Sequence, residues 1–570
     1  MVLFRGPPLE TEAGIGALTM GGLLDEVTAR HAGREALCFH ESGSHPSGSQ
    51  PSGSHPSGSE QSGLDRSAGA GEDAVVRWTY EELGARALRF AKALAAAGVG
   101  KGTRVALLMG NRPEWVEAAF GVALAGAVLV PVNTLFEAPE IEHVLHHSDS
   151  AVLVYQERLA NHRYHDQVRA MVGGLPYLTT LACLGTSTYE SFLRAGEHVG
   201  DDVAHGRAAA VSPHDDALVV YTSGSTGKPK GVLHAQRAAA LQSWRFARHL
   251  CADPSRRVWS AFPFFWTAGY CMVMGGTLAA GACLVLQELF EPGDALALLE
   301  AERVTSPHAW PHQLAALESH PDYATADLSA VNQVDSFTSI GRHPTVNADD
   351  SFSPRAAYGL TETFTIISSM PADTPAALRE GHEGTILPGN VVRIVDAQTG
   401  DEQPAGVPGE IRVKGPTLMK GYVKVAPEEV FDTEGFFATG DAGFVDDEGR
   451  LHWVGRTSDL IKTGGANVSP VEIDNELLRH PGLHSALAVG VPHPTLGEIV
   501  VVCAVAQPGC DVDENGVRDF LRGRLASYKL PRRVLFFAED ELTLTGNAKI
   551  RADELRKLAT ERLARSENAF

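Results

Sequence analysis

Ala217-Leu218-Val219-Val220-Tyr221-Thr222-Ser223-Gly224-Ser225-Thr226-Gly227-Lys228-Pro229-Lys230-Gly231-Val232 runs from an apolar strand into a stretch of glycines, hydroxyls and lysines. Gly224, Gly227 and Gly231 let the backbone turn its N–H groups onto an anion, and the Ser, Thr and Lys side chains add further donors. The stretch is therefore read as a loop that holds phosphate. It is not a Walker P-loop, because Gly224 and Gly227 are three apart and Pro229 follows Lys228, where that motif needs wider glycine spacing and an opening helix. The next residues, Gly231-Val232-Leu233-His234, carry no helical period. The pattern predicts a strand, a phosphate-gripping loop and a returning strand.

Outward from this stretch the chain alternates strands and helices. Val105 to Met109 reads as a buried strand, Pro113 to about Leu124 as a helix and Val128 to Val132 as a further strand. Strand, helix and strand at this spacing form a βαβ unit, so a parallel sheet covered by helices is expected. Thr79 and Glu82 form a capping box, and Ala235 to Leu250 is helical. The pentad repeat Ser42 to Ser59 cannot bury a core and is read as a flexible Ser/Gly/Pro-rich insertion over 42–72. It falls between Ala36–Phe39 and Ala74–Trp78, where it would lengthen a hairpin. From about 384 to 455, short β-rich runs such as Val391–Val395 and Glu410–Val413 alternate with Gly and Pro turns, suggesting a β-subdomain. Beyond 455 a hairpin around Gly464-Gly465, a helix opened by Ser469-Pro470 and alternating strands and helices suggest a separate α+β unit.

Six motifs, taken in order, resemble the adenylate-forming superfamily and most nearly its acyl-CoA synthetases. They are Tyr221–Val232, Tyr358-Gly359-Leu360-Thr361-Glu362-Thr363, Gly409-Glu410 with Gly415-Pro416 and Gly421-Tyr422, Thr439-Gly440-Asp441, Gly455-Arg456 with Asp459–Lys462, and Thr545-Gly546-Asn547-Ala548-Lys549-Ile550. The resemblance implies an α/β fold: an adenylate-forming core over 1–455, with helix-covered parallel sheets and the β-subdomain, and a mobile α+β lid over 456–570. It further implies activation of a carboxylic acid by ATP with release of pyrophosphate, followed by thioester formation with CoA. The alternative is adenylation alone, with the acyl-AMP passed to a separate CoA-transferring enzyme or carrier protein.

Residue by residue, the resemblance places Thr222, Ser223, Gly224, Ser225, Thr226, Gly227 and Lys230 on the phosphates of ATP. Tyr358 and Gly359 pack on adenine, Asp441 accepts the ribose hydroxyls and Arg456 makes a second ribose or phosphate contact. Glu362 holds Mg²⁺ and Thr361 contacts phosphate. Lys549 bridges the carboxylate and the α-phosphate, where charge grows as they approach. Ser458 is the hinge, at a position where relatives mostly carry Asp or Lys, and Gly464 and Gly465 line the CoA channel. The acid pocket is assigned to Phe265, Trp266, Gly269, Tyr270, Ser339 and Gly341, with Phe264, Thr267 and Ala268 beside them. Its aromatic, uncharged walls suit an apolar acid. Trp266 stands where many relatives have His, and Phe337–Arg342 replaces a frequent Gly-Gly-Ala stretch.

The formal charge of −22 argues against nucleic acid or an anionic membrane as a main partner. The longest apolar stretch, Val116 to Val132, is interrupted and short of the roughly 20 residues a spanning helix needs. Seven scattered cysteines without C-x-x-C spacing read as reduced thiols of a cytoplasmic protein. A small carboxylic acid is the expected partner, and a homo-oligomer is compatible with the chain.

Overall fold

The computed structural model describes residues 2–41, 75–222, 229–349, 352–397, 399–457, 460–463, 466–493, 496–522, 524–525, 529–538, 541 and 552–565. The insertion and the residues Ser223, Gly224, Ser225, Thr226, Gly227, Ser458, Gly464, Gly465 and Lys549 lie outside them. The chain divides into two compact units. One comprises Glu12–Leu378 with Pro416–Pro427, the other Met1–Thr11, Arg379–Gly415 and Glu428–Phe570.

The first unit is built on the expected βαβ pattern. Strands Arg104–Leu108 and Val128–Pro131 pair in parallel, with helix Pro113–Leu124 between them in sequence. The sheet runs Gly421–Tyr422, Lys230–Ala235, Asp216–Thr222, Val128–Pro131, Arg104–Leu108, Val152–Tyr155 and Thr180–Cys183. Its last five strands are parallel, and Lys230–Ala235 returns antiparallel to Asp216–Thr222. Val128, Val130, Val219 and Tyr221 share one buried core with Ile141, Val144 and Leu145 of the helix Ala138–His147. Such helix-covered parallel strands bury both faces, which is why they read as unbroken apolar runs.

A second sheet in this unit runs Ser306–His308, Arg257–Ser260, Cys283–Leu286, Glu35–His40 and Val75–Thr79. Its last two strands are antiparallel, so the insertion does fall within a hairpin connection. Thr79 caps the following helix Tyr80–Ala96, with the Glu82 N–H donating to its hydroxyl.

In the other unit, Phe4–Arg5, Val391–Val395, Gly409–Lys414, Phe437–Val445 and Leu451–Arg456 form an antiparallel sheet. A further sheet orders Ala466–Val468, Ile461–Thr463, Gly497–Ala506 and Leu483–His493, with Arg533–Phe536 parallel to Gly497–Ala506. Ser469 caps helix Pro470–Leu477 as its sequence predicts. Helix Glu514–Leu521 is bounded by its own sequence: the Asp513 side chain accepts the Gly516 N–H at one end, and Arg522 turns to extended backbone at the other.

Asp474 on Pro470–Leu477 accepts the Ala488 N–H at 2.6 Å, and burial pushes its carboxyl up to about 7 from the ordinary aspartate value of 3.8. Between those two pH values the unfolded chain binds fewer protons than the folded one, so this group lowers stability as pH rises through the window. Asp474→Asn keeps an acceptor for Ala488 and cannot ionise. Its melting temperature is expected to match wild type near pH 4 and to exceed it by roughly 2 °C or more near pH 8. Equal values across the range in thermal melts would contradict the assignment.

Candidate active site

The strand ends at the phosphate-loop motif are fixed by pairing: Thr222 opposes Lys230 and Tyr221 opposes Gly231. A Cβ on Gly231 would lie 2.9 Å from Val219, 3.0 Å from the Tyr221 ring and 3.1 Å from Val423, so glycine is required by packing here. Lys230 extends its ammonium over the Tyr422 ring, 5.6 Å from the centroid. Tyr422 reaches this place because Gly421–Tyr422 adds to the sheet edge opposite Leu233 and Val232. Its hydroxyl donates to Glu362 Oε1 at 2.8 Å, and the Glu362 carbonyl accepts the Met419 N–H at 2.7 Å. Lys230, Tyr422 and Glu362 thus form one contiguous cationic, aromatic and anionic group.

Tyr358 to Thr363 lies where a short strand, Ala357–Leu360, passes into a 3-10 turn, Thr361–Thr363. A Cβ on Gly359 would sit 1.6 Å from the Thr365 carbonyl oxygen, so only glycine lets the two backbones approach. Phe364 and Thr365 follow with φ of 51° and 80°. Left-handed backbone at a β-branched residue is strained, and such strain persists only where the surroundings hold it. The hold is visible: the Thr363 hydroxyl accepts the Leu360 N–H and lies within bonding distance of the Leu360 and Thr365 carbonyls. The fully buried Phe364 ring is 4.6 Å from His234 and 6.0 Å from Tyr270. Burial lowers the His234 pKa to about 3, so this imidazole is neutral.

The assigned acid-pocket residues belong to the same unit. Phe264, Phe265 and Tyr270 are buried, and Trp115 contacts Phe264 and Tyr270 at 5.1 and 5.9 Å. Trp266 is partly exposed and packs edge-on against Phe265 at 5.0 Å. From Ala268 to Gly275 the chain winds as a π-helix, a form that recurs at functional sites and that no residue pattern here signals. Gly269 and Gly341 are glycines for the protein's own sake: added Cβ atoms would stand 2.1 Å from the Pro263 and 2.3 Å from the Asp335 carbonyl oxygens. Ser339 is buried, with its hydroxyl donating to Leu314 O and its carbonyl accepting the Tyr323 hydroxyl.

In the other unit, Asp441 and Arg456 face each other across the hairpin of Phe437–Val445 and Leu451–Arg456. Arg456 Nε lies 3.0 Å from Asp441 Oδ1; the Asp441 side chain is 5% exposed and that of Arg456 50%. Arg456 also donates to the Thr439 carbonyl, and the Thr439 hydroxyl accepts the Asp441 backbone N–H, so the backbone that carries the carboxylate is fixed.

The chain is similar to known proteins over most of its length. A family model for the AMP-binding enzyme covers residues 59–423, and a model for the AMP-binding enzyme C-terminal domain covers 472–549. The chain belongs to the AMP-binding enzyme family. Among curated members it is 34% identical to a feruloyl-CoA synthase of an Amycolatopsis species, over 84% of this chain and 93% of that one. An indoleacetate–CoA ligase of Aromatoleum aromaticum is 33% identical over 85% and 94%. Among solved structures, ATP-bound MatB from Rhodopseudomonas palustris superposes with a TM-score of 0.68 at 26% identity, covering 95% and 99%. The α/β reading and the adenylate-forming resemblance both hold, as does the acid–thiol ligase class. Among the described residues no helix is long and apolar enough to cross a membrane. Tyr422 is the site residue that motif reading passed over; Gly421-Tyr422 was legible as a pair, but its bond to Glu362, 60 positions away, was not.

Proposed function

We infer that this member of the family is an AMP-forming ligase that joins CoA to an apolar, ring-bearing carboxylic acid. The observation that carries the reading is the cluster of Lys230, Tyr422 and Glu362 beside the ends of the phosphate-loop motif. It supplies a cation for phosphate and a hard-oxygen carboxylate next to the Thr361 hydroxyl. That donor set fits Mg²⁺, which prefers oxygen ligands and bridges phosphates; when bound, the ion would offset phosphate charge.

In the first step a carboxylate oxygen attacks the α-phosphorus, the bond to pyrophosphate breaks and acyl-AMP forms. Lys230 and Thr222 would hold the departing phosphates, with Ser223, Gly224, Ser225, Thr226 and Gly227. Thr361 would orient a phosphate oxygen, Tyr358 and Gly359 would take adenine, Asp441 the ribose and Arg456 a second contact. Lys549, carried by a mobile lid over 456–570, would meet the charge developing between carboxylate and phosphate. In the second step the CoA thiolate attacks the acyl carbon and AMP leaves; Ser458 would serve as the pivot and Gly464 and Gly465 as the thiol channel. The names of the feruloyl and indoleacetate ligases support a ring-bearing acid, as do the aromatic residues around Trp266. They favour CoA over a separate acyl-acceptor protein. Seven unpaired cysteines support a cytoplasmic setting.

Acid-dependent exchange of labelled pyrophosphate into ATP, abolished by EDTA and restored by Mg²⁺, tests the first step; exchange that ignores EDTA would remove the metal from Glu362. Trp266→Ala should change the kcat/KM ratio between a bulky and a small ring acid by about tenfold or more, with the KM for ATP unmoved. An unchanged ratio would take Trp266 out of the acid pocket.

A further inference from the structure

Two histidines on the helix Ala138–His147 contact the two described ends of the glycine-rich stretch. His147 Nδ1 lies 2.9 Å from the Tyr221 hydroxyl, at the end of the outgoing strand. His143 Nε2 lies 3.2 Å from the Pro229 carbonyl, just before the returning strand. One turn apart, the two imidazoles stack with centroids 5.3 Å apart and planes 24° from parallel. Their helix is itself anchored, because Ile141, Val144 and Leu145 sit in the core that also contains Val219 and Tyr221. Next in line after Pro229 is Lys230, which leads through the Tyr422 ring to Glu362.

The chemistry of each contact is defined. A carbonyl only accepts, so His143 presents Nε2–H to Pro229. Burial first, then His143 and Lys424, lowers the His147 pKa, and burial raises that of Tyr221. The phenol therefore keeps its proton and donates a hydrogen bond to Nδ1 of the neutral imidazole. Asp149, next to this helix end, is engaged by Lys424 at 2.9 Å. Packing alone would be satisfied by two phenyl rings; the nitrogens are placed where hydrogen bonds to both strand ends are made.

We propose that His143 and His147 are positioning residues that set the spacing of Tyr221 and Pro229, and through them the grip of Lys230 and Thr222 on the β- and γ-phosphates of ATP. The proposal rests on the assignment of this stretch to phosphate. Isothermal titration of the full-length chain with Mg-AMPPNP and, separately, with AMP tests it, because AMP lacks the phosphates concerned. His143→Phe/His147→Phe keeps the ring stack and removes the nitrogens. It should raise the Kd for Mg-AMPPNP about tenfold, the loss of two hydrogen bonds, and leave AMP binding nearly unchanged. His147→Asn and His143→Gln, whose amides replace Nδ1 and Nε2, should each restore most of the affinity that the corresponding single Phe variant loses. Equal Kd values for variant and wild type, or equal loss for both nucleotides, would overturn the clamp while leaving the nucleotide site standing. Wild-type protein that binds neither nucleotide would overturn both.

Discussion

Lys549→Ala is expected to slow acyl-adenylate formation by about 10²–10³-fold while thioester formation from supplied acyl-AMP and CoA continues at a nearly unchanged rate. The magnitude is that of removing one preorganised charge from a transition state in which negative charge is concentrating. The split between half-reactions follows from the proposed order of events: the lysine is needed when carboxylate and α-phosphate approach and has left when the thiol attacks. Thr545-Gly546 before it and Ile550 after it carry the motif resemblance that assigns this lysine. Single-turnover assays of each half-reaction read the split. Equal loss in both would make Lys549 a general structural residue, and no loss in the first would remove it from the chemistry.

Asp441→Ala should raise the KM for ATP by about 10²-fold, because in its proposed role the carboxylate would accept both ribose hydroxyls and contribute two hydrogen bonds. The geometry makes a clean test possible. Asp441 is almost fully buried, but its partner Arg456 is half exposed, so the guanidinium left behind stays hydrated and the cost in fold stability is small. Two readouts separate ribose binding from local damage. Asp441→Asn, which retains one acceptor oxygen, should lose less than the alanine variant. The preference of wild type for ATP over 2′-deoxy-ATP should shrink in Asp441→Ala; a preference that survives intact would place the ribose elsewhere.

Much of this fold is legible locally. Arg104–Leu108, Val128–Pro131 and Asp216–Thr222 announce themselves as buried parallel strands because both faces are apolar, while Pro113 marks a helix start by its fixed backbone and Thr79 and Ser469 by their capping hydroxyls. The hairpin Glu35–His40 with Val75–Thr79 is readable despite the insertion, since loop length weighs little on closure. What escapes is what depends on distant partners. Phe4–Arg5 is a strand only because Val391 and Val392 offer it an edge. The π-helix Ala268–Gly275 has no composition of its own. Tyr422 with Glu362, and His143 and His147 with Pro229 and Tyr221, are pairs 60 to 86 positions apart that only the folded sheet brings together. The left-handed Phe364 and Thr365 are likewise invisible to a rule that looks for glycine at such positions.

One chain is expected to perform both half-reactions on an apolar ring acid. Mass spectrometry of the products from enzyme, Mg-ATP and a panel of cinnamic, indoleacetic, polycyclic and fatty acids, each with and without CoA, tests it most directly. Acyl-AMP without CoA and acyl-CoA plus AMP with it are expected, for ring-bearing acids above all. Acyl-AMP that accumulates unchanged when CoA is added would contradict it.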